Sequence, residues 1–215
     1  MLPMEVTTKI HSLCKQVGVE PMFMMIHQEK KTMQDGLREL NKLTEENKHV
    51  QLPILVEIIQ MNPDFPSVFF KVVEKNPFFS KVYVELLRSI PLELFHLHYE
   101  NYYESLDTIH VVSSDDYDAY CDNKMVHTGR RSFTLFIVHA IEANVIPIHY
   151  YDKTVQKVMV KFKEHMNGDR EIMNEIVELL IILKPKGARS LATLNPAEHK
   201  GISPKILFRL MELES

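Results

Sequence analysis

The side chains with most chemical reach in this chain are 11 histidines, two cysteines and two sets of basic residues. His96 and His98, in the run HLH, stand two apart, a spacing that splays their imidazoles across a helix and gives a metal ion no shared site. Cys14 and Cys121 match no metal or redox spacing and read as free thiols of a reducing compartment. There is no HExxH, no Gly-rich phosphate loop and no GxSxG, and six glycines leave little for a nucleotide cradle. A Cys–His nucleophile pair can be drawn in any chain with this many histidines. The expectation is a protein that is not an enzyme, with no metal and no cofactor. The basic residues are more informative. Lys153, Lys157 and Lys161 lie at i, i+4, i+8 and form one ridge of a helix, where like charges repel unless phosphates sit beside them. Arg130 and Arg131 precede an expected helix start, a place where the macrodipole disfavours cations by roughly 0.3 to 1 kcal/mol each. Two readings follow: a surface for RNA phosphates, or a solvated basic face.

Charge is unevenly spread around these residues. The net charge is −4, yet residues 92–128 hold 8 acidic and 1 basic residue, whereas residues 129–215 hold 10 acidic and 13 basic. Such asymmetry suits a polyanion-binding face beside an acidic insertion. Hydrophobic residues at 45% and charged residues at 25% are ordinary for a globular domain and argue against disorder. The start, MLPMEVTTKI, lacks the basic and apolar regions of a signal peptide, and no stretch approaches the roughly 18 uncharged apolar residues of a membrane helix. A cytosolic or nuclear protein without membrane contact is expected. With 215 residues, one domain is the simplest arrangement.

The elements that would position these groups are helices. In GRRSFTLFIVHAIEANVI, Phe133, Phe136, Ile137, Ala140 and Ile141 share one face. The next run starts at Pro147 and stripes Val155, Val158, Met159 and Phe162. DREIMNEIVELLIILKP puts Ile172, Ile176, Leu179, Leu180 and Leu183 on one face ahead of Pro185, and SPKILFRLMELES offers Ser203 as an N-cap with Pro204 behind it. In the first half, EKKTMQDGLRELNKL is followed by helices expected to start at Pro53 and Pro66 and by one bounded by Pro77 and Pro91. Strand signals are scarce. Eight to ten helices of about 10 to 18 residues bury their single apolar faces most simply as stacked antiparallel pairs. The stretch SSDDYDAYCDN has loop composition, so an acidic insertion over about 107–128 is expected, with the next helix beginning near residue 129.

Four segments together resemble a known family. LNKLTEEN (40–47), VVEKNPFFSKVYVELLRSI, GRRSFTLFIVHAIEANVIPIHYYDKTVQKVM and SPKILFRLMEL are similar, in this order, to pieces of the middle domain of eukaryotic translation initiation factor 4 gamma. They cover the chain from about residue 36 to its end, which leaves residues 1–35 as an N-terminal helical extension with the start of the first hairpin. The resemblance implies an all-α, crescent-shaped stack of about five antiparallel HEAT-like hairpins, the last shortened because PKGARSLATLNPAEHKGI leaves little room for its first helix. It implies a cytoplasmic scaffold that binds a DEAD-box RNA helicase and RNA during translation initiation and promotes the helicase's closed, active state, with other initiation factors as further partners. Its helicase-binding positions carry over to Leu40, Asn41, Lys42, Leu43 and Lys48, the last standing where the family has Phe. Its RNA-binding positions are sought at Arg130, Arg131, Lys153, Lys157 and Lys161. Leu40 and Leu43, three apart, could equally face the core. Alternatives are a scaffold of the same fold in RNA decay, splicing or nuclear cap binding, and an RNA-binding module with no helicase partner. A compact, diverged copy of this domain would suit a large DNA virus that supplies its own initiation factors, or a divergent eukaryote.

Overall fold

The structure, a computed structural model, describes residues 32–214. Cys14 and the expected extension up to residue 31 lie outside the described residues. Among the described residues there are nine α-helices and no strand: α1 (Met33–Lys42), α2 (Lys48–Met61), α3 (Phe65–Lys75), α4 (Ser80–Leu87), α5 (Leu92–Ser105), α6 (Tyr117–Glu142), α7 (His149–His165), α8 (Arg170–Leu183) and α9 (Pro204–Met211). None of these nine helices is long and apolar enough to cross a membrane.

Local chemistry sets most of the boundaries. Thr32 opens α1 with a capping box: the Asp35 amide donates to Thr32 Oγ1 at 3.2 Å and the Thr32 amide donates to Asp35 Oδ2 at 2.9 Å. Asp169 caps α8 by accepting from the amides of Glu171 and Ile172, and Ser203 caps α9 by accepting from the Ile206 amide, with Pro204 as the first helical residue. α6 ends where Asn144 takes a left-handed backbone, a conformation asparagine tolerates, and α8 ends with Lys184 in the same region just before Pro185.

The helices pack in an alternating pattern. α1 touches α3 and α3 touches α5; α2 touches α4, α4 touches α6, and α6 touches α8. Partners adjacent in sequence also pair, as α1 with α2, α5 with α6 and α7 with α8. α6 is the hub, packed against α3, α4, α5, α7 and α8. Its second half contributes Phe133, Phe136, Ile137 and Ala140, all fully buried, to an aromatic core where Phe133 lies 5.0 Å from Tyr102 and 6.1 Å from Phe95, and Phe69 packs edge-on to Tyr83 at 5.9 Å. Gly36 allows α1 to approach α3: a Cβ there would lie 2.3 Å from the Phe65 ring.

The expected acidic insertion, the placement of Arg130 and Arg131 and the start of α2 are corrected. The acidic stretch is not a loop as far as residue 128. After a turn over 113–116, α6 starts at Tyr117, twelve residues before the expected start, because the Asp116 carboxylate accepts from the Ala119 amide and Asp118 sits favourably in the first turn. Most of SSDDYDAYCDN, for all its loop-like composition, is the acidic N-terminus of a 26-residue helix. Arg130 and Arg131 therefore stand mid-helix and meet no unfavourable dipole. Likewise Pro53 does not open α2, which begins at Lys48; it sits in the second turn, where it forgoes the bond to the His49 carbonyl and sets its ring against that group. Between α8 and α9 the chain forms a 3-10 turn, Ala188–Thr193, in the place of a full helix.

Candidate functional site

The turn between α1 and α2 is built around Asn47. Its side-chain amide donates to the Lys42 carbonyl at 2.7 Å, and its Oδ1 accepts from the Thr44 amide at 2.8 Å. The chain stops and restarts there so that Leu43, in extended conformation, can turn inward. Leu43 is 1% exposed and Leu40 0%. Both are core residues, and the expectation that they face a helicase is overturned, because the α1 face that carries them packs on α2 and α3. Asn41 and Lys42 remain exposed. Lys48, where the family pattern has Phe, pairs with Glu85 and, at 2.9 Å, with Glu45. What the seam does present is Phe78, 91% exposed on the 3-10 turn Pro77–Phe79. With Thr44, Glu45, Glu46, Phe79 and Leu135 it lines a groove of about 710 Å³.

The basic residues do not form one free surface. Lys157 and Lys161 both pair with Asp107, the second at 3.0 Å, and these lysines, Lys157 first, hold the Asp107 carboxyl below its usual range. Lys157 also sits 4.7 Å above the Tyr103 ring. Lys153 is exposed. Arg130 is buried, 4% exposed, and its Nη2 donates to the Ser105 carbonyl at 3.0 Å; it cannot reach a phosphate on the surface. Arg131 turns the other way, 3.5 Å from Glu175 Oε2.

Arg131 leads to a site that no sequence motif announces. A cleft of about 340 Å³ opens between α6, α8, α9 and the segment at Val111–Val112. Its rim carries Lys124, Arg131, Arg170 and Lys205, with Glu171 as the exposed acidic residue. Tyr120 and Asn123 come from the start of α6, and Asn174 from α8. His127 and Glu175 line its inner wall, with His127 Nδ1 3.6 Å from Glu175 Oε2. Glu175 is 3% exposed. Burial raises its pKa, while Arg131 and Arg130 pull it back. Burial, then Arg130 and Arg131, lower the His127 pKa to about 4. Four buried atoms of this cluster have no hydrogen-bond partner among the described residues: Glu175 Oε1, His127 Nε2, and Nε and Nη1 of Arg130. A buried polar atom that no group or water satisfies costs about 1 to 3 kcal/mol, and apolar replacements of equal volume are often neutral or stabilising. Stability alone does not account for the cluster. Two signals point to it in the sequence: Glu175 interrupts the apolar stripe at i+3 from Ile172 and i−4 from Leu179, and His127 lies i, i+4 to Arg131 once residues 117–128 are read as helix.

Among the described residues no group of three or more His, Cys, Asp or Glu side chains could hold a metal ion. His98 instead stacks on Phe70 at 4.6 Å and bonds Glu74 at 2.9 Å, and His96 lies 3.7 Å from Glu100. No protein-family model matches the chain, and comparison with curated proteins and with solved structures finds no match.

Proposed function

We propose that the chain is a non-catalytic, cytoplasmic scaffold that holds a DEAD-box RNA helicase and RNA together in translation initiation. In this reading its helices form a crescent of about five antiparallel hairpins, the last one shortened, and other initiation factors dock on the same frame. The alternation of packing, α1–α3–α5 and α2–α4–α6–α8, is what stacked hairpins produce, and the four family-like segments fall in the family's order. The observation that carries the proposal is Phe78, an aromatic side chain left 91% exposed beside the turn at Thr44–Glu46. A large exposed aromatic on a groove is the kind of residue that anchors a protein partner. With Leu40 and Leu43 in the core, the partner would touch Phe78, the polar turn and the neighbouring Asn41 and Lys42. The scaffold would favour the closed helicase only by the difference between its affinities for the closed and open forms.

The test is capture of a DEAD-box helicase by the tagged chain from nuclease-treated cytosol, repeated with Phe78→Asp. Wild type is expected to retain the helicase and the variant to lose it, while its stability stays within about 0.5 kcal/mol of wild type, as for an exposed side chain. Absence of a helicase from the wild-type capture would sink the scaffold reading. The basic rim of the α6–α8–α9 cleft favours a second reading, an RNA-binding module without a helicase; RNA bound in the absence of any captured helicase would select it.

A further inference from the structure

The cleft between α6, α8 and α9 gathers cations that no carboxylate satisfies. Lys124, Arg170 and Lys205 line it from three different helices, each is exposed, and among the described residues none of them stands in an ion pair. Elsewhere Lys42, Lys48, Lys157, Lys161 and Arg209 all have carboxylate partners. Lys124 is held by Tyr120 of the same cleft, its Nζ 5.2 Å above the ring. Arg170 is held by a hydrogen bond that its Nε donates to the Lys200 carbonyl at 3.1 Å, which engages neither Nη. The N-terminus of α9 opens on the same space at Ser203 and Lys205 and adds the positive end of its dipole. Like charges gathered in one cleft repel, and an anion placed between them turns that cost into attraction.

The surroundings of the cleft limit the length of that anion. Its wall at Val111–Val112 runs straight into the turn over 113–116, and Tyr120, on the same wall, lies in the first turn of α6. Asp115, Asp116 and Asp118 are exposed there. An internal stretch of nucleic acid must leave a cleft by two exits, and an exit over this turn carries its phosphates past three carboxylates. A strand end needs one exit. A terminal phosphate monoester also carries about −1.5 to −2 charge at pH 7, more than an internal diester, and so suits several cations in a space of about 340 Å³, near the lower end for small-ligand sites.

We propose that this cleft binds the terminal phosphate monoester of an RNA strand. Lys124, Arg170 and Lys205 surround the phosphate with charge-assisted hydrogen bonds, and the strand leaves on the side away from the acidic turn. Only exposed side chains take part; the buried atoms of Glu175, His127 and Arg130 make no contact with the ligand. The proposal rests on the RNA half of the function above, and not on the helicase half.

The experiment is calorimetric titration of the full chain with a short oligouridylate carrying a 5′-phosphate, a 3′-phosphate or hydroxyls at both ends, and with UMP. Wild type is expected to bind one or both phosphate-ended strands about tenfold more tightly than the hydroxyl-ended one. Lys205→Glu should abolish that preference, whereas Lys163→Glu, the same change of charge on an exposed residue of α7, should keep it. A thermal melt of each variant accompanies the titrations, and Lys124→Gln is read in the same way as Lys205→Glu if the latter melts early. Asp115→Asn with Asp118→Asn should tighten the hydroxyl-ended strand and narrow the preference. Equal affinity for the three strands in wild type, a preference kept in Lys205→Glu, or an unchanged hydroxyl-ended affinity in the Asn pair would each overturn the proposal and leave the RNA reading standing. No strand bound at millimolar concentration would overturn both. UMP bound as tightly as the phosphate-ended strand would move the ligand to a free nucleotide and overturn the strand end.

Discussion

Burial of His127 couples a single imidazole to the stability of the fold. Its folded pKa of about 4 lies below the ordinary 6.5, first through burial and then through Arg130, Arg131, Lys124 and His110. The unfolded chain therefore binds the proton more readily between those two values. Stability from this residue is present above pH 6.5 and is lost as pH falls toward 4. At about 1.4 kcal/mol for each tenfold change in proton binding, the loss has an upper bound of about 3 kcal/mol. His139, also lowered by burial, acts with the same sign. Glu175 acts with the opposite sign, because its raised folded pKa contributes stability below its unfolded pKa that is lost as pH rises through the folded one. The informative quantity is thus a difference between variants. Denaturant unfolding of wild type and His127→Gln at pH 7 and pH 4.5 should show a smaller acid loss in the variant, by up to about 2.4 kcal/mol. Identical losses would mean that His127 is hydrated and ordinary.

At the level of the element, the first hairpin and the long hub helix make opposite points. The α1 stripe ends in Leu40, and Leu43 continues it only by leaving the helix, with Asn47 closing the turn behind it. Leu40→Ala and Leu43→Ala should each cost about 2 to 5 kcal/mol, the usual range for a fully buried leucine, and the pair should melt or loosen the α1–α2 hairpin. A pair that melts with wild type while failing to bind a partner would return both side chains to the surface and contradict their burial. Helix α6 makes the converse point about composition. Asp115, Asp116, Asp118 and Asp122 depress helix propensity when averaged, yet most of them stand at or near an N-terminus, where a carboxylate caps free amides and opposes the macrodipole favourably. Position within the element, rather than residue type, decides whether such a run is loop or helix.

For the whole molecule, charge matters by where packing puts it. Lys157 and Lys161 look like a ridge for phosphate, but α5 leads into a 3-10 turn that brings Asp107 between them, so they are already paired. Lys124 and Lys205, 81 residues apart in sequence, come to one cleft because α6, α8 and α9 pack together. If the chain binds RNA there, Lys124→Ala with Lys205→Ala should weaken single-strand binding and reduce its log–log salt slope by roughly 1.4, at about 0.7 for each phosphate no longer neutralised. Lys157→Ala with Lys161→Ala should change the slope little. Filter-binding titrations from low to moderate salt distinguish the two, and a larger effect from the second pair would restore the ridge. The sequence by itself determined the all-helical class, the α8 and α9 boundaries and the buried stripe of α6, because apolar periodicity, caps and prolines act within a few residues. Only the tertiary structure decided that Leu43 points inward, that Arg130 is buried, that Asp107 quenches the ridge and that Glu175 meets His127. Those facts depend on which distant helix covers a given face, and the energy of covering it is shared between segments that local sequence does not connect.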